Sequence, residues 1–143
     1  MSNRPIRKLI ENRPLYVAAP ECTVSEAARQ MKAGGVGALL VVEGGHLKGI
    51  FTERDALNRV LAVGLSPQST KLSEVMTPDP QTIGPERPVG HALHLMFEGG
   101  YRHVPVVENG QVLGMVSARD ALGPELSEFE AELAEREHIG EIL

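Results

Sequence analysis

The peptide GIFTERDAL at residues 49–57 returns as GMVSARDAL at residues 114–122, sixty-five positions further on. A duplication constrains a fold strongly, because one supersecondary unit must serve twice and the two copies must bury their apolar faces together. The offset extends beyond the shared peptide. Val41-Val42-Glu43 falls on Val106-Val107-Glu108, Gly45 on Gly110, Gly34-Gly35 on Gly99-Gly100, Met31 on Met96, Ala27 on Ala92, Val24 on Val89 and Pro20 on Pro85.

Each half repeats one order of elements. Residues 23–32 and 88–98 place Val24, Ala27, Ala28 and Met31, and Val89, Ala92, Leu93, Met96 and Phe97, at helical spacing. Pro88 suits a first turn, and a Gly-Gly pair closes each helix. Apolar runs at 36–42 and 103–107 have the length of buried strands. Glu43-Gly44-Gly45-His46 and Glu108-Asn109-Gly110-Gln111 read as hairpin turns leading into strands at 47–51 and 112–116. A helix then opens at Thr52 or Ser117. Residues 71–76 form a short helical lead-in to the second half, and residues 4–12 are expected to serve the first half in the same way. These features predict an α/β (α+β) fold of two β-α-β-β-α repeats, at 8–63 and 72–125, joined by a polar linker at 64–71 that contains Pro67. An acidic amphipathic helix is expected at 126–143, with Leu126, Phe129 and Leu133 on one face.

Composition removes several function classes. A formal net charge of −5 disfavours nucleic acid as a partner, whereas a few local arginines are enough to hold one phosphate. The single cysteine, Cys22, cannot form an internal disulfide and fits a reducing compartment. No apolar run reaches the roughly 18 residues of a membrane span, and the first residues lack a signal peptide's apolar stretch. The expected protein is soluble, cytoplasmic and not membrane-bound. His91 and His94 have no third ligand in the local pattern, so no metal is expected. No nucleophile has a base at a recognisable spacing, so no catalytic residue is assigned and the protein is not expected to be an enzyme.

Thr52-x-x-Asp55 and Ser117-x-x-Asp120 have a plain reading as helix caps, with hydroxyl and carboxylate each satisfying a backbone N–H. Capping alone does not call for Arg54 and Arg119 before both aspartates. A second reading is a ribose phosphate site, in which a carboxylate accepts from vicinal sugar hydroxyls while an adjacent helix start and an arginine face the phosphate.

The doubled order of elements, with G-I-F-T-x-R-D and G-M-V-S-x-R-D closing the units and Arg102-His103-Val104-Pro105-Val106-Val107 inside the second, closely resembles a tandem pair of cystathionine beta-synthase (CBS) domains, the Bateman module, over residues 8–125. That resemblance implies a pseudo-twofold disc whose two clefts commonly take AMP, ADP or ATP, with NAD or S-adenosylmethionine as other ligands and no required cofactor. Carried over residue by residue, Asp120 would bind the ribose hydroxyls. Ser117, Arg119, Arg102 and His103 would lie near the phosphate. The base would rest on Val17, Ala18, Ala19, Pro20 and Val24. Thr52, Arg54 and Asp55 would mirror this in the other cleft, with residues 83–85 and Val89 as its base-side wall.

Where Tyr101, Arg102 and His103 stand in the second half, the first has Val36, Gly37 and Ala38, which offer no cation. The Asp120 cleft is therefore expected to be the better nucleotide site. His103 also admits a purely structural role at a strand start. The expected function is a homodimeric adenosine-nucleotide sensor acting in signal transduction on an unidentified regulated protein. The alternative is a ligand-free dimerisation or adaptor module in which the aspartates only cap helices.

Overall fold

The computed structural model describes residues 4–121 and 131–136. The first half holds β1 (Val17–Ala18), α2 (Val24–Gly34), β2 (Ala38–Glu43), β3 (His46–Thr52) and α3 (Glu53–Asp55), which runs on into a π-helical stretch, Ala56–Leu61. The second holds α5 (Val89–Gly99), β5 (His103–Glu108), β6 (Gln111–Ser117) and a 3-10 turn, Ala118–Ala121. Three short elements complete the order: α1 (Ile6–Ile10) before the first half, and α4 (Leu72–Val75) and β4 (Thr77–Pro78) between the halves.

Local chemistry sets these limits. Thr23 caps α2 by accepting from the Glu26 N–H at 3.2 Å. Pro88 occupies the same position before α5, one place ahead of the first turn expected for it. Gly35 at φ 64° and Gly100 at φ 72° end the two helices in the left-handed region, which glycine enters without steric cost. Both hairpins turn through paired positive φ values, Gly44-Gly45 at 59° and 81° and Asn109-Gly110 at 51° and 79°, as a two-residue loop matched to strand twist requires. Each hairpin also shifts register at the same place, between Val41 and Val42 and between Val106 and Val107.

β1 lies parallel to β2, and β4 lies along the outer side of β3, making a four-stranded sheet in the order β1-β2-β3-β4. In the second half β5 and β6 pair antiparallel, and Ile83 bridges Val106 in parallel where the first half has β1. Ala38, Leu40 and Ile50 of the first sheet meet Val112 and Met115 of the second, so the halves join sheet to sheet.

The lead-in helices are exchanged, contrary to the expectation that residues 4–12 serve the first half. Ile6 and Ile10 of α1 sit in the second half's core with Val89, Val104, Val106 and Val116. Leu72 and Val75 of α4 sit in the first half's core with Val24, Leu39, Val41 and Phe51. Matching backbone bonds fix both placements. Val24 N–H donates to Thr70 O at 2.9 Å and Val89 N–H to Arg4 O at 2.8 Å, while Leu72 N–H reaches Cys22 O and Ile6 N–H reaches Arg87 O. Each core is thus completed by chain from the other side of the repeat boundary.

Within the expected acidic tail, residues 131–136 are helical and exposed, Leu133 included. Residues 122–130 and 137–143, with Leu126 and Phe129, lie outside the described residues. Among the described residues no helix is long and apolar enough to cross a membrane.

Candidate functional site

The β5–β6 register places His103 directly opposite Ser117. One further bond closes the end of that hairpin, from the Ala118 N–H to Arg102 O at 2.9 Å. Arg102, His103, Ser117 and Arg119 are therefore gathered by backbone geometry. The first half makes the same closure, Glu53 N–H to Gly37 O at 3.0 Å, but with Gly37 and Ala38 in place of the cation and the imidazole.

These four residues line a cavity of about 860 Å³ between the halves. The first half contributes Met31, Lys32, Gly37, Leu40, Phe51 and Glu53, and the second adds Gly114 and Met115. One side is closed by Arg13, Pro14, Leu15 and Tyr16, the segment between α1 and β1. The apolar side chains suit a flat base, while Arg13, Lys32, Arg102 and Arg119 supply positive charge and Glu53 a negative one.

His103 is half-buried beside these charges. Burial holds its imidazole below the ordinary value; the carboxylate of Glu53 opposes this, Arg102 reinforces it, and Asp120 opposes it more weakly. An anion entering the cavity would favour the protonated form.

Asp120 lies behind the wall rather than on it. Its Oδ2 accepts from the Ser117 N–H at 2.8 Å and from Arg13 Nη1 at 3.0 Å, and its Oδ1 accepts from Arg13 Nη2 at 2.6 Å. The carboxylate side chain is 8% exposed. Asp55 is the more fully committed to capping. It accepts from the Thr52 N–H at 3.0 Å, its own N–H donates to Thr52 Oγ1 at 3.2 Å, and Arg59 approaches to 3.6 Å. Both aspartates thus carry out the capping role that the plain reading gave them.

Thr52, Arg54 and Asp55 are not on the wall of this cavity, and Arg54 is exposed. Val17, Ala18, Ala19 and Pro20 are not on it either. Val17 and Ala18 are held in β1 against Leu40 and Val41, and the cavity is lined there by the preceding residues 13–16. Val24 is core of the first half, and Ile83, Pro85 and Val89 are buried in the second. Arg13, Lys32 and Glu53 are cavity residues that the sequence reading did not select. Glu53 had a readable signal, since it is the carboxylate that breaks the match to Ala118 within the repeated peptide. Among the described residues no cluster of metal-ligating side chains occurs.

The chain matches the CBS domain family over residues 6–62 and 72–123. It is 39% identical over 116 residues to the mitochondrial CBS domain-containing protein CBSX3 of Arabidopsis thaliana, covering 78% of this chain and 56% of that relative. Among solved structures it superposes on a CBS domain protein from Pyrobaculum aerophilum complexed with AMP, with a TM-score of 0.77, 25% identity and coverage of 88% of this chain and 96% of that one. It also superposes on the CBS domain pair of protein MJ0100 in complex with 5′-methylthioadenosine and S-adenosyl-L-methionine, with a TM-score of 0.72, 26% identity and coverage of 82% and 91%. Two matched domains that together span most of the chain show that it belongs to the CBS domain family, as a tandem pair.

Proposed function

We propose that the chain is a regulatory module that binds an adenosine nucleotide in the cavity between its repeats and, by responding to it, biases a partner protein or its own assembly. The supporting observation is the cavity's composition. Apolar walls from both halves can enclose a base, and Arg13, Lys32, Arg102 and Arg119 surround the same space. Its volume of about 860 Å³ lies within the range of small-molecule sites. Both superposed solved structures hold adenosine compounds. The concentration of cations favours a phosphate-bearing ligand such as AMP, ADP or ATP, and also NAD with its diphosphate, over S-adenosylmethionine, which has no phosphate. Arg102, Arg119, Ser117 and His103 would face the phosphate, with Asp120 close to the ribose. The Asp55 side, closed by its own caps and lacking these cations, is the weaker site.

We further propose a homodimer. Phe97 is 88% exposed on α5, and Leu57 and Leu61 stand out from the helix after Asp55, which leaves apolar surface for a second copy to cover.

Calorimetry with AMP on the wild type, Arg102→Ala and Asp120→Ala tests the nucleotide reading. A charge-assisted phosphate bond is worth about 1.5–3 kcal/mol, so Arg102→Ala should weaken AMP by roughly tenfold to a hundredfold. Unchanged affinity in both variants would remove the assignment. Absence of binding by any adenosine compound would favour the ligand-free adaptor.

A further inference from the structure

The carboxylate that the nucleotide reading assigns to the ribose, Asp120, is already engaged. Arg13 grips both oxygens of Asp120 in a fork, at 2.6 Å and 3.0 Å, and it is Arg13 that forms the cavity wall there. The guanidinium side chain is 41% exposed while the carboxylate beneath it is 8% exposed, so the arginine covers the aspartate from the solvent side. Arg13 belongs to a short irregular strap, residues 11–16, anchored at both ends. Before it, α1 is seated in the second half's core. After it, Tyr16 O accepts from the Leu40 N–H at 3.1 Å in the first half.

The repeat shows that this arrangement is not imposed by the fold. The residue sixty-five positions after Arg13 is Pro78, which pairs with Gly49 and carries no charge. The partner of Asp55 comes from its own helix instead, Arg59 at the longer distance of 3.6 Å. Among the described residues, a cation reaching across to the capping aspartate occurs only on the side where the cavity has its arginines.

We infer that Arg13 is a specificity-determining latch: it covers Asp120 and must exchange that carboxylate for the ligand's phosphate before the ribose can be held. This rests on the adenosine-nucleotide reading of the cavity. Breaking a forked ion pair and leaving a nearly buried carboxylate without its partner is unfavourable, and a nucleoside provides Arg13 with nothing in return. A nucleotide supplies a phosphate to which the planar guanidinium can bond in the same forked way. The ligand's phosphate then acts twice, once on Arg102 and Arg119 and once by releasing the latch.

The test compares adenosine and AMP by calorimetry on the wild type, Arg13→Gln and Asp120→Asn, and measures amide hydrogen exchange of Asn12, Leu15 and Tyr16 in the ligand-free proteins. The latch requires Arg13→Gln to tighten adenosine by about tenfold while leaving AMP unchanged or weaker, so that the preference for AMP collapses. It also requires both substitutions to speed exchange in the strap. An unchanged ratio of AMP to adenosine affinity in Arg13→Gln, or an equal loss for both ligands, overturns it. If neither ligand binds any of the three proteins, the adenosine reading fails and the latch with it, whereas binding with an unchanged preference overturns the latch alone.

Discussion

Truncating Ile6 to alanine should loosen the half of the molecule farther along the chain. Ile6 has no exposed surface and lies among Ile83, Val89, Val104, Val106 and Val116, so the substitution removes three methyl or methylene carbons from a closed core and leaves a cavity. Such Ile→Ala changes cost about 2–5 kcal/mol, and complete burial places this one toward the upper end. Against a total stability of about 5–15 kcal/mol that is a third or more of the margin. Leu72→Ala is the mirror experiment, equally buried but in the first half's core. Urea unfolding gives the overall loss, and amide exchange followed segment by segment shows where sub-global opening begins. Ile6→Ala should accelerate exchange in β5 and β6 before β2 and β3, and Leu72→Ala the reverse. If Ile6→Ala opened the β2–β3 hairpin first, the exchange of lead-in helices would be refuted.

Other consequences are equally specific. A Cβ on Gly49 would lie 2.5 Å from Met76 Sδ and 2.7 Å from the Thr77 carbonyl oxygen, which β4 pairing holds in place, so Gly49→Ala should cost about 1–3 kcal/mol in urea unfolding. Gly114→Ala, whose added carbon would meet Ile10 Cδ1 at 3.1 Å and Cβ at 3.2 Å and no backbone atom this close, should cost less; the opposite order would contradict this packing. His103 is held below its ordinary value, chiefly by burial, so the unfolded chain binds more protons in the window that opens near about pH 6.5 and extends down to the folded value. Stability should therefore fall as the pH drops through that window, and His103→Gln should flatten the slope; an unaltered slope would show that His103 does not titrate there. Phe97→Glu should shift a homodimer toward monomer in sedimentation velocity at micromolar concentration, and a wild-type protein at monomer mass throughout would remove the dimer.

Much of the fold is legible in the chain because its determinants are local. Gly-Gly pairs mark where helices must enter a left-handed turn, and Asn109-Gly110 fixes the hairpin that sets His103 opposite Ser117. Of the residues that line the cavity, Ser117 and Arg119 stand in the repeated peptide, whereas Arg102 and His103 have no counterpart in the first half and were expected only from the family resemblance. The exchange of α1 and α4 was not legible, because apolar spacing in residues 4–12 shows that a face is buried without showing which half buries it. The cavity lining differs from the expected residues for a related reason. The family resemblance placed the base on Val17 and Ala18; pairing of β1 with β2 uses these residues, and the cavity is lined instead by residues 13–16, which have no periodic signal. Arg13 left only a comparative trace, an arginine where the repeat has Pro78, and its partner Asp120 lies 107 positions away.

A crystal of the protein grown with saturating AMP tests the nucleotide site most directly. The expected result is a purine between the apolar walls of the two repeats, its ribose against Asp120, its phosphate among Arg102, Arg119 and His103, and Arg13 turned from the aspartate to that phosphate. A nucleotide bound elsewhere, or a cavity left unfilled with Arg13 still forked on Asp120, would contradict it.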